Sequence, residues 1–314
     1  MKLLVTGFAG FIGANFTQYI LEKYPCDSIV GVDCLTYAAS DIALRQLIGL
    51  KNLTFYKYNI CDREAMDRIF DAERPEVVVN FAAESHVDRS IENSAAFIET
   101  NVHGTGILLD MSKKYGVKRF HQVSTDEVYG DMALDSDGCF TEESPLNPSS
   151  PYSASKAAAD LMALSYMKTH GLPVSISRSS NNFGKYQHKE KLIPMAIDRI
   201  LSDNPVTLYG DGKNMRDWLY VIDNCRAIDL IIRAGECGVY NVSADNQLSN
   251  IELVKKIMLR LGKPDAEIAF IEDRKGHDRK YSVSSEKIKS LGWMPKAEFE
   301  TELKNTARWY KCNI

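Results

Sequence analysis

The 314-residue chain lacks any long hydrophobic run, the feature that a membrane-spanning helix requires. Its apolar stretches are short and interrupted by glycine or polar residues, whereas a span needs about 18 or more consecutive apolar residues. The first stretch, residues 3–5, ends at Thr6-Gly7 and is too short for the core of a signal peptide. We therefore expect neither membrane insertion nor secretion, and we expect a cytoplasmic protein.

The sequence also lacks a C-x-x-C pair, and no histidine stands at metal-ligand spacing from a cysteine. This pattern gives no support for a metal site or a disulfide framework, so we expect free thiols in a reducing compartment. The seven cysteines are scattered singly, as Cys26, Cys34, Cys61, Cys139, Cys225, Cys237 and Cys312.

A large excess of charge of either sign is missing as well. The net charge is -4 and the pI is about 5.9, which gives no reason to expect nucleic acid or an anionic membrane as a partner. The composition, 45% hydrophobic and 25% charged, is typical of a soluble globular protein. Because single cores stop growing at about 250–300 residues, the length favours two lobes.

Short β-branched runs alternate with longer segments of helical periodicity in the first half of the chain, which is typical of β-α-β units. We therefore expect an α/β fold with a Rossmann-type doubly wound parallel sheet. The pattern predicts strands over 2–6, 28–33, 53–58, 76–81, 119–124 and 174–178, and helices over 11–23, 62–71, 95–115 and 153–170.

From about residue 179 the sequence becomes polar and loop-rich, with a helix predicted over 192–201 and a strand over 206–209. The stretch 223–241, a helix followed by a short strand, is expected to return to the main sheet. We predict an NAD-binding Rossmann domain and a smaller α/β substrate-binding lobe. The first comprises residues 1–178 and 222–247, and the second comprises residues 179–221 and 248–314.

A glycine turn, Gly7-x-x-Gly10-x-x-Gly13, joins the first predicted strand to the first helix. Without side chains, the backbone amides and the helix N-terminus can approach a pyrophosphate. Asp33 ends the second strand about 20 residues further on, where an acid hydrogen-bonds an adenosine ribose and repels a 2′-phosphate. This context favours NAD over NADP; the alternative is a glycine turn used only for close packing.

Tyr152 and Lys156 lie one helical turn apart on one face of the helix predicted over 153–170. A phenol with an ordinary pKa near 10 is a useful base at neutral pH only if nearby positive charge favours the phenolate. Any surface helix can carry such a pair, but here it follows a dinucleotide-type turn. We interpret Tyr152 as a catalytic base assisted by Lys156.

Asp126 and Glu127 follow the strand predicted over 119–124, at the sheet edge where ligands of such folds bind. Adjacent side chains of a regular strand point to opposite faces, so both acids can serve one substrate only if the backbone turns there. Two carboxylates would allow a proton to leave carbon and water to leave a neighbouring carbon. Without further context, a pair of solvated acids that opens a loop is the better interpretation.

Several other polar groups have two interpretations each. Residues 59–62 could flank an adenine, or Asp62 could cap a helix. His86 is better explained as a packed or capping histidine. Arg216 could bind phosphate through both guanidinium nitrogens, or cap a helix. Residues 277–281 could supply donors or form a solvated basic loop.

Taken together, these motifs resemble the nucleotide-sugar branch of the extended short-chain dehydrogenase/reductases, and within it the 4,6-dehydratases. The Tyr-x-x-x-Lys pair marks only the superfamily, whereas the Asp-Glu pair after Ser-Thr separates the dehydratases from related epimerases and decarboxylases. The resemblance covers nearly the whole chain and rests on the glycine turn and on residues 81–91, 124–130, 152–156, 180–182, 190–194, 216–218 and 276–279.

This resemblance implies a mechanism. Tyr152, assisted by Lys156 and Thr125, would deprotonate the sugar 4-hydroxyl while NAD takes the hydride from C4. Glu127 would then remove the C5 proton as Asp126 protonates the leaving C6 hydroxyl, and the hydride would return to C6. Asp126 must therefore be protonated while Glu127 is ionised, and a close carboxylate pair separates the two proton affinities in that way.

The binding residues expected on these grounds form two sets. The cofactor set is Gly7, Gly10, Phe11, Ile12, Gly13, Asp33, Asn59, Ile60, Phe81, Ala82, Ala83, Ser85, Thr100, Tyr152, Lys156 and Asn182. The set for the nucleotide-diphosphate sugar is Ser85, Thr125, Asn181, Lys191, Leu192, Tyr209, Arg216, Asn250 and Arg279.

The resemblance further implies a homodimer joined through the helices over 95–115 and 153–170. Two stretches, 38–40 and 183–189, depart from the usual family pattern, so the nucleotide stays open, with dTDP-glucose favoured over UDP-glucose. The competing interpretations are a nucleotide-sugar 4-epimerase or UDP-glucuronate decarboxylase and, more remotely, a non-catalytic NAD-binding regulator.

Overall fold

A parallel seven-stranded sheet forms the centre of the structure, a computed structural model that describes residues 1–313. The strands within these residues are β1 (Lys2–Thr6), β2 (Ser28–Asp33), β3 (Leu53–Lys57), β4 (Val77–Asn80), β5 (Arg119–Thr125), β6 (Val174–Ser179), β7 (Asn181–Phe183), β8 (Val206–Tyr209), β9 (Met215–Tyr220), β10 (Gly238–Val242), β11 (Gln247–Ser249) and β12 (Ile268–Ile271). The large sheet has the order β10-β6-β5-β4-β1-β2-β3, and each neighbouring pair is parallel.

Helices cover both faces of this sheet. They are α1 (Phe11–Lys23), α2 (Asp41–Leu47), α3 (Arg63–Glu73), α4 (Val87–Glu92), α5 (Ala95–Phe97), α6 (Thr105–Lys114), α7 (Pro151–His170), α8 (Leu192–Leu201), α9 (Val221–Ala234), α10 (Asn250–Arg260), α11 (Glu286–Ser290) and α12 (Phe299–Asn313). A π-helical segment, Ile98–Gly104, joins α5 to α6, and a 3-10 turn, Asp126–Tyr129, follows β5.

Alternating side chains of the strands feed two apolar cores, one on each face. Leu4 of β1 packs in the core that includes residues of α3, α6 and α7, whereas Leu3 and Val5 pack in the core that includes residues of α1 and α9. Burial on both faces explains why these strands are continuous apolar runs rather than alternating ones. The predicted fold class, a Rossmann-type doubly wound sheet, is confirmed.

The long helix α7 has clear start and stop signals. Ser150 and Ser153 form a capping box at its N-terminus, and Pro151 occupies the first turn, where a missing N–H costs nothing. Gly171 ends the helix with a left-handed conformation at φ 66°, which glycine adopts without steric cost. These signals fix where α7 begins and ends.

The rest of the chain forms smaller layers beside the carboxyl edge of the large sheet. A three-stranded sheet has the order β11-β9-β7, and β12 pairs with β8 in parallel. Helices α8, α10 and α12 pack together through apolar residues such as Ile197, Leu253 and Leu303. The division into two domains remains a prediction, but β10 does pair with β6 in the large sheet.

The predicted elements differ from the observed ones in one informative place. The helix predicted over 95–115 is divided by the π-helical segment into α5, that segment and α6. Elsewhere the boundaries agree within a few residues, and Asp62 does cap α3 by accepting from the Ala65 amide at 2.9 Å. None of the helices within residues 1–313 is long and apolar enough to cross a membrane.

Asp223 generates a stability prediction, because its buried carboxylate connects α9 to the segment before α12. Its Oδ2 accepts from the Lys296 amide at 2.9 Å and from the Ala297 amide at 2.8 Å. We expect Asp223→Ala to lower the free energy of unfolding by about 2–4 kcal/mol, since two amides lose a charged acceptor. Urea denaturation measures this. The control is Arg68→Ala, which removes an exposed ion pair with Glu64 at 3.8 Å and should change the free energy of unfolding by less than about 0.5 kcal/mol. Equal effects of the two substitutions would contradict the prediction.

Candidate active site

Three adjoining cavities lie along the carboxyl edge of the large sheet. The first is lined by the glycine turn, Asp33 and the loop after β3. The second, central cavity shares Gly7, Gly10 and Phe81 with the first and adds Tyr152 and Lys156. The third, of about 350 Å³, shares Glu190 and Lys191 with the central cavity and extends towards β8. One continuous cleft therefore joins all three.

The glycine turn is shaped by close backbone contacts. Gly7 has φ +65°, and a Cβ there would lie 2.7 Å from the Ala82 amide nitrogen. A Cβ on Gly13 would lie 2.2 Å from the carbonyl oxygen of Gly7. Gly10, the N-cap of α1, makes no side-chain capping bond, so the first-turn amides are free to bind an anion.

Asp33 closes the other side of the first cavity. Its Oδ2 accepts from the Ala9 amide at 3.0 Å, and its Oδ1 accepts from the Leu35 amide at 2.8 Å. Burial raises the pKa of the carboxyl group, and the two amides oppose this effect. The carboxylate is thus held in one orientation beside the glycine turn, as binding of a ribose would require.

The predicted cofactor residues fall into two groups and one exception. The first cavity is lined by Gly7, Gly10, Asp33, Asn59, Ile60, Phe81, Ala82, Ala83 and Thr100. The central cavity is lined also by Phe11, Ile12, Gly13, Ser85, Tyr152 and Lys156. Asn182 lines neither, because its amide group turns inward and donates to Ser179 Oγ and to the Ser180 carbonyl.

The chain turns immediately after β5, as the acid pair requires. Thr125 is the last residue of the strand, and its Oγ1 accepts from the Glu127 amide at 3.3 Å. The same hydroxyl donates to Asp126 Oδ1 at 3.3 Å. Asp126 is buried and its Oδ2 has no protein partner within residues 1–313, whereas Glu127 is half-buried and lines the third cavity.

Burial and charge separate the two carboxyl groups. The pKa of Asp126 lies well above its usual range, first because the group is buried and then because Glu127 and Asp217 repel a second negative charge. Burial also raises the pKa of Glu127, but Lys191, Arg216 and Arg274 oppose the rise. Asp126 is therefore suited to donate a proton and Glu127 to accept one.

Tyr152 and Lys156 approach the same region from α7. The Lys156 ammonium donates to the Val123 carbonyl at 2.6 Å, and burial lowers its pKa to about 8. Burial raises the pKa of the Tyr152 phenol, and the charges of Glu127 and Asp126 raise it further, while a hydrogen bond with Thr125 opposes the rise. In the free protein the phenol is neutral, so its use as a base depends on additional positive charge.

The third cavity contains most of the predicted substrate residues. Asn181, Lys191, Leu192, Tyr209, Arg216 and Asn250 line it together with Glu127. Ser85 lines the central cavity instead, and its carbonyl accepts from Lys191 Nζ at 2.8 Å. Thr125 is buried beneath the acid pair.

Arg279 lies elsewhere, and another arginine occupies the cavity. The Arg279 guanidinium donates to both Asp211 oxygens, each at 3.0 Å, and the residue does not line the cavity. Arg274 does line it, with a buried Nε that has no protein partner in the described part of the chain, and its guanidinium lies 3.5 Å from Asp88. Sequence reasoning missed Arg274, although a second arginine just before Gly276-His277 was an available signal.

His86 has the capping role that the sequence favoured. Its Nδ1 accepts from the Arg89 amide at the start of α4, and the ring also lines the third cavity. His277 and Tyr281 also line the third cavity, in agreement with the interpretation of residues 277–281 as donors. The cavity contains further residues outside the predicted sets, namely Val87, Asp88, Glu190, Met195, Thr207, Leu208, Trp218 and Ile271.

The cysteines and candidate metal ligands lie outside the acid–phenol–amine cluster. All seven cysteines are free. Donor atoms of Cys61, Glu99 and His103 lie within 4.8 Å of one another, a spacing that could hold a metal ion, but Glu99 and His103 are exposed. This surface group is separate from the residues that could move protons.

A parallel sheet with a glycine turn after its first strand and a Tyr-x-x-x-Lys pair at its carboxyl edge defines the short-chain dehydrogenase/reductase class. Within that class, the model of the family described as GDP-mannose 4,6 dehydratase matches residues 4–306. The chain belongs to this family of nucleotide-sugar 4,6-dehydratases, and the resemblance identified from the sequence is confirmed.

Individual proteins show the same relationship. The chain is 48% identical to the low-salt glycan biosynthesis protein Agl12 of Haloferax volcanii, over 99% of this chain and 98% of that protein. It is 43% identical to the dTDP-glucose 4,6-dehydratase of Haemophilus influenzae, over 100% of this chain and 98% of that protein. Among solved structures, DesIV is a dTDP-glucose 4,6-dehydratase of Streptomyces venezuelae solved with NAD bound. It matches this structure with a TM-score of 0.95 and 43% identity, over 100% of this chain and 98% of DesIV.

The tight glycine turn generates a binding prediction. Gly13→Ala should weaken NAD binding roughly 5- to 150-fold, because the added methyl group forces the turn away from Gly7, at a cost of about 1–3 kcal/mol. Isothermal titration calorimetry measures the affinity. Gly106→Ala is the matched control, since its Cβ has only Met162 Cε as a neighbour, at 4.0 Å. Unchanged affinity in a folded Gly13→Ala protein would contradict the prediction.

Proposed function

We propose that this protein catalyses NAD-dependent 4,6-dehydration of a nucleotide-activated glucose and forms the 4-keto-6-deoxy sugar. One observation carries the proposal. The 3-10 turn after β5 brings a buried acid, Asp126, and a half-buried acid, Glu127, close enough to influence Tyr152. Glu127 lines the third cavity, and Tyr152 and Lys156 line the adjoining central cavity. Redox and elimination chemistry can therefore act on one sugar ring.

The first two cavities fit a dinucleotide. The uncapped N-terminus of α1 suits the pyrophosphate, and the fixed carboxylate of Asp33 suits a ribose with a free 2′-hydroxyl. Bound NAD would supply the oxidation at C4 and the matching reduction at C6, so no external reductant is consumed.

Tyr152 would act at the sugar 4-hydroxyl. Its Oη removes the hydroxyl proton, and Thr125 stabilises the phenolate by hydrogen bonding while Lys156 does so by charge. The raised phenol pKa of the free protein means that the phenolate forms only when a further positive charge lies nearby. Deprotonation is thereby coupled to occupation of the central cavity.

The acid pair would complete the elimination. Glu127 takes the proton from C5, which the neighbouring ketone acidifies, and Asp126 Oδ2 delivers a proton to the C6 hydroxyl as it leaves as water. When the hydride returns to C6, Glu127 would give its proton back to C5, and the proton that Tyr152 took from the 4-hydroxyl would restore Asp126 by way of solvent, so that protons balance over one turnover. The pKa order of the two groups favours this assignment.

The third cavity would hold the nucleotide diphosphate. Arg274 and Arg216 supply positive charge, Asn250 supplies an amide, and Tyr209 offers an aromatic face for a base. We favour dTDP-glucose over UDP-glucose, because relatives of high identity over their full length are named dTDP-glucose 4,6-dehydratases. An epimerase or decarboxylase would use Tyr152 but would leave the buried acid Asp126 without a role.

We also propose a homodimer in the cytoplasm. Ile98 of the π-helical segment and Leu161 of α7 are large apolar residues more than half exposed, and a partner subunit would cover them. Exposed free thiols such as Cys26, Cys139 and Cys312 suit a reducing compartment.

Incubation with a sugar nucleotide tests the activity directly. We expect the purified protein, with NAD but without reductant, to convert dTDP-glucose to a product lighter by one water that carries a ketone at C4. Mass spectrometry and NMR identify this product, and UDP-glucose in a parallel reaction tests the base. Inversion at C4 without loss of water would support an epimerase and overturn the proposal.

Substitution of single groups separates the steps. Glu127→Gln should lower dehydration roughly 10²- to 10⁴-fold while C4 oxidation continues, because only the C5 base is lost. Tyr152→Phe should lose both steps. Single-turnover measurements of cofactor absorbance and of water loss distinguish them. If Glu127→Gln abolishes C4 oxidation as fully as Tyr152→Phe does, Glu127 is not the C5 base.

A further inference from the structure

The face of α7 that carries Tyr152 and Lys156 continues for one more turn to Asp160. Residues at this spacing of four lie one above another on a helix. Asp160 is 0% exposed, and the proposed reaction gives it no task. A buried carboxylate is costly unless it is paired, so its presence calls for a physical explanation.

One oxygen of Asp160 is held from the neighbouring strand. Arg178 of β6 donates from Nε to Asp160 Oδ2 at 2.9 Å, and both side chains are almost fully buried. Arg178 also donates from Nη1 to the Tyr129 hydroxyl at 2.9 Å, and that hydroxyl donates to Asn241 Oδ1 at 2.8 Å. The guanidinium thus has a fixed position, and it fixes the carboxylate.

The other oxygen of Asp160 is not used by this pair. Asp160 Oδ1 is buried without a hydrogen-bond partner among residues 1–313, and the same is true of Ser124 Oγ on β5. The remaining positive group on the same face of α7 is Lys156, one helical turn before Asp160 and also buried.

The charges around Lys156 are unequal. Burial disfavours its ammonium form, and Asp160 is the charged side chain that favours it within the described chain. Asp160 responds in the reciprocal way: burial raises its pKa, while Arg178, then the nearby Ser124 side chain, and then Lys156 oppose the rise. The other groups facing the amine are the Val123 carbonyl of β5, which accepts its hydrogen bond, and Tyr152 on α7 itself. Asp126 and Glu127, on the 3-10 turn, act on Tyr152.

We propose that Asp160 is a positioning residue whose carboxylate, held in place by Arg178, keeps the Lys156 amine protonated beside Tyr152. Asp160 lines none of the three cavities, so it acts only through Lys156. The inference rests on the proposed function, because it assigns Lys156 the task of stabilising the Tyr152 phenolate. Without Asp160, the lysine would be neutral over part of the pH range in which the enzyme must work.

The test measures ionisation of Lys156 without relying on turnover. The full-length protein, freed of nucleotide, is pulsed with an amine-acylating reagent at a series of pH values, and labelling of the Lys156 peptide is quantified by mass spectrometry. Only the neutral amine reacts, so the midpoint reports the pKa of Lys156. We expect Asp160→Asn to move this midpoint down by about one pH unit or more, since an opposite charge nearby shifts a pKa by roughly 1–3 units.

Three further measurements separate this role from a structural one. The Lys191 peptide in the same digest should keep its midpoint, and so should Lys156 in Asp223→Asn, which removes a buried carboxylate elsewhere. Asp160→Glu should restore the midpoint at least in part. In steady-state turnover by Asp160→Asn, the pH at which kcat changes on the alkaline side should decrease together with the labelling midpoint of Lys156. KM for the sugar nucleotide should stay unchanged.

A second variant keeps the proposal testable if Asp160→Asn does not fold. Asp160→Asn with Arg178→Gln removes both charges, leaves no unpaired buried guanidinium, and should shift the Lys156 midpoint in the same downward direction. An unchanged Lys156 midpoint in either folded variant would overturn the proposal. A shifted midpoint in a protein that dehydrates neither sugar nucleotide would retain the charge coupling and refute the proposed function.

Discussion

The site depends on the burial of ionisable side chains at the carboxyl end of β5, where they are shielded from water. Burial acts in opposite directions on acids and amines, since it disfavours the ionised form of each. Burial raises the pKa of the Asp126 carboxyl group and lowers the pKa of the Lys156 ammonium group. Two pKa values that ordinarily lie far apart therefore both move towards pH 7. Residues that transfer protons at neutral pH need such convergence.

The scaffold creates this environment through its backbone rather than through special side chains. Parallel strands end at one edge, so the turn after β1, the loop after β4 and the turn after β5 meet there. The change from strand to 3-10 turn at Asp126 breaks the two-residue alternation that would separate the neighbouring acids. Thr125, which bonds to both of the following residues, stabilises that change.

The sequence alone could predict the features that depend on local periodicity. The bounds of β1, α1 and β2 follow from apolar runs and the glycine turn, and the helical spacing of Tyr152 and Lys156 follows from the residues of α7. The 3-10 turn was recognised only as a requirement, because one sequence does not show where a strand will stop.

Features that depend on contacts between distant segments could not be predicted in this way. Arg274 reaches the substrate cavity, while Arg279, only five positions away, is held by Asp211, and nothing in their local sequence separates the two. The inward turn of Asn182 and the pairing of Asp160 with Arg178 likewise depend on which strands become neighbours. Such contacts are set by topology, which periodicity specifies only in outline.

The junction between the cavities shows why cofactor and sugar sites cannot vary independently. Lys191 lines both the central and the third cavity, and its ammonium is held by the Ser85 carbonyl after β4. Glu190 beside it lies within 3.5 Å of His86 and within 3.3 Å of both Arg89 and His188. A displacement of this segment would move Lys191 away from Glu127 and so remove one of the positive charges that oppose the rise in the Glu127 pKa. The departures from the family pattern at 183–189 directly precede this junction, and Gln187 and His188 line the central cavity, so substitutions there act on the position of Lys191 as well as on the shape of that cavity.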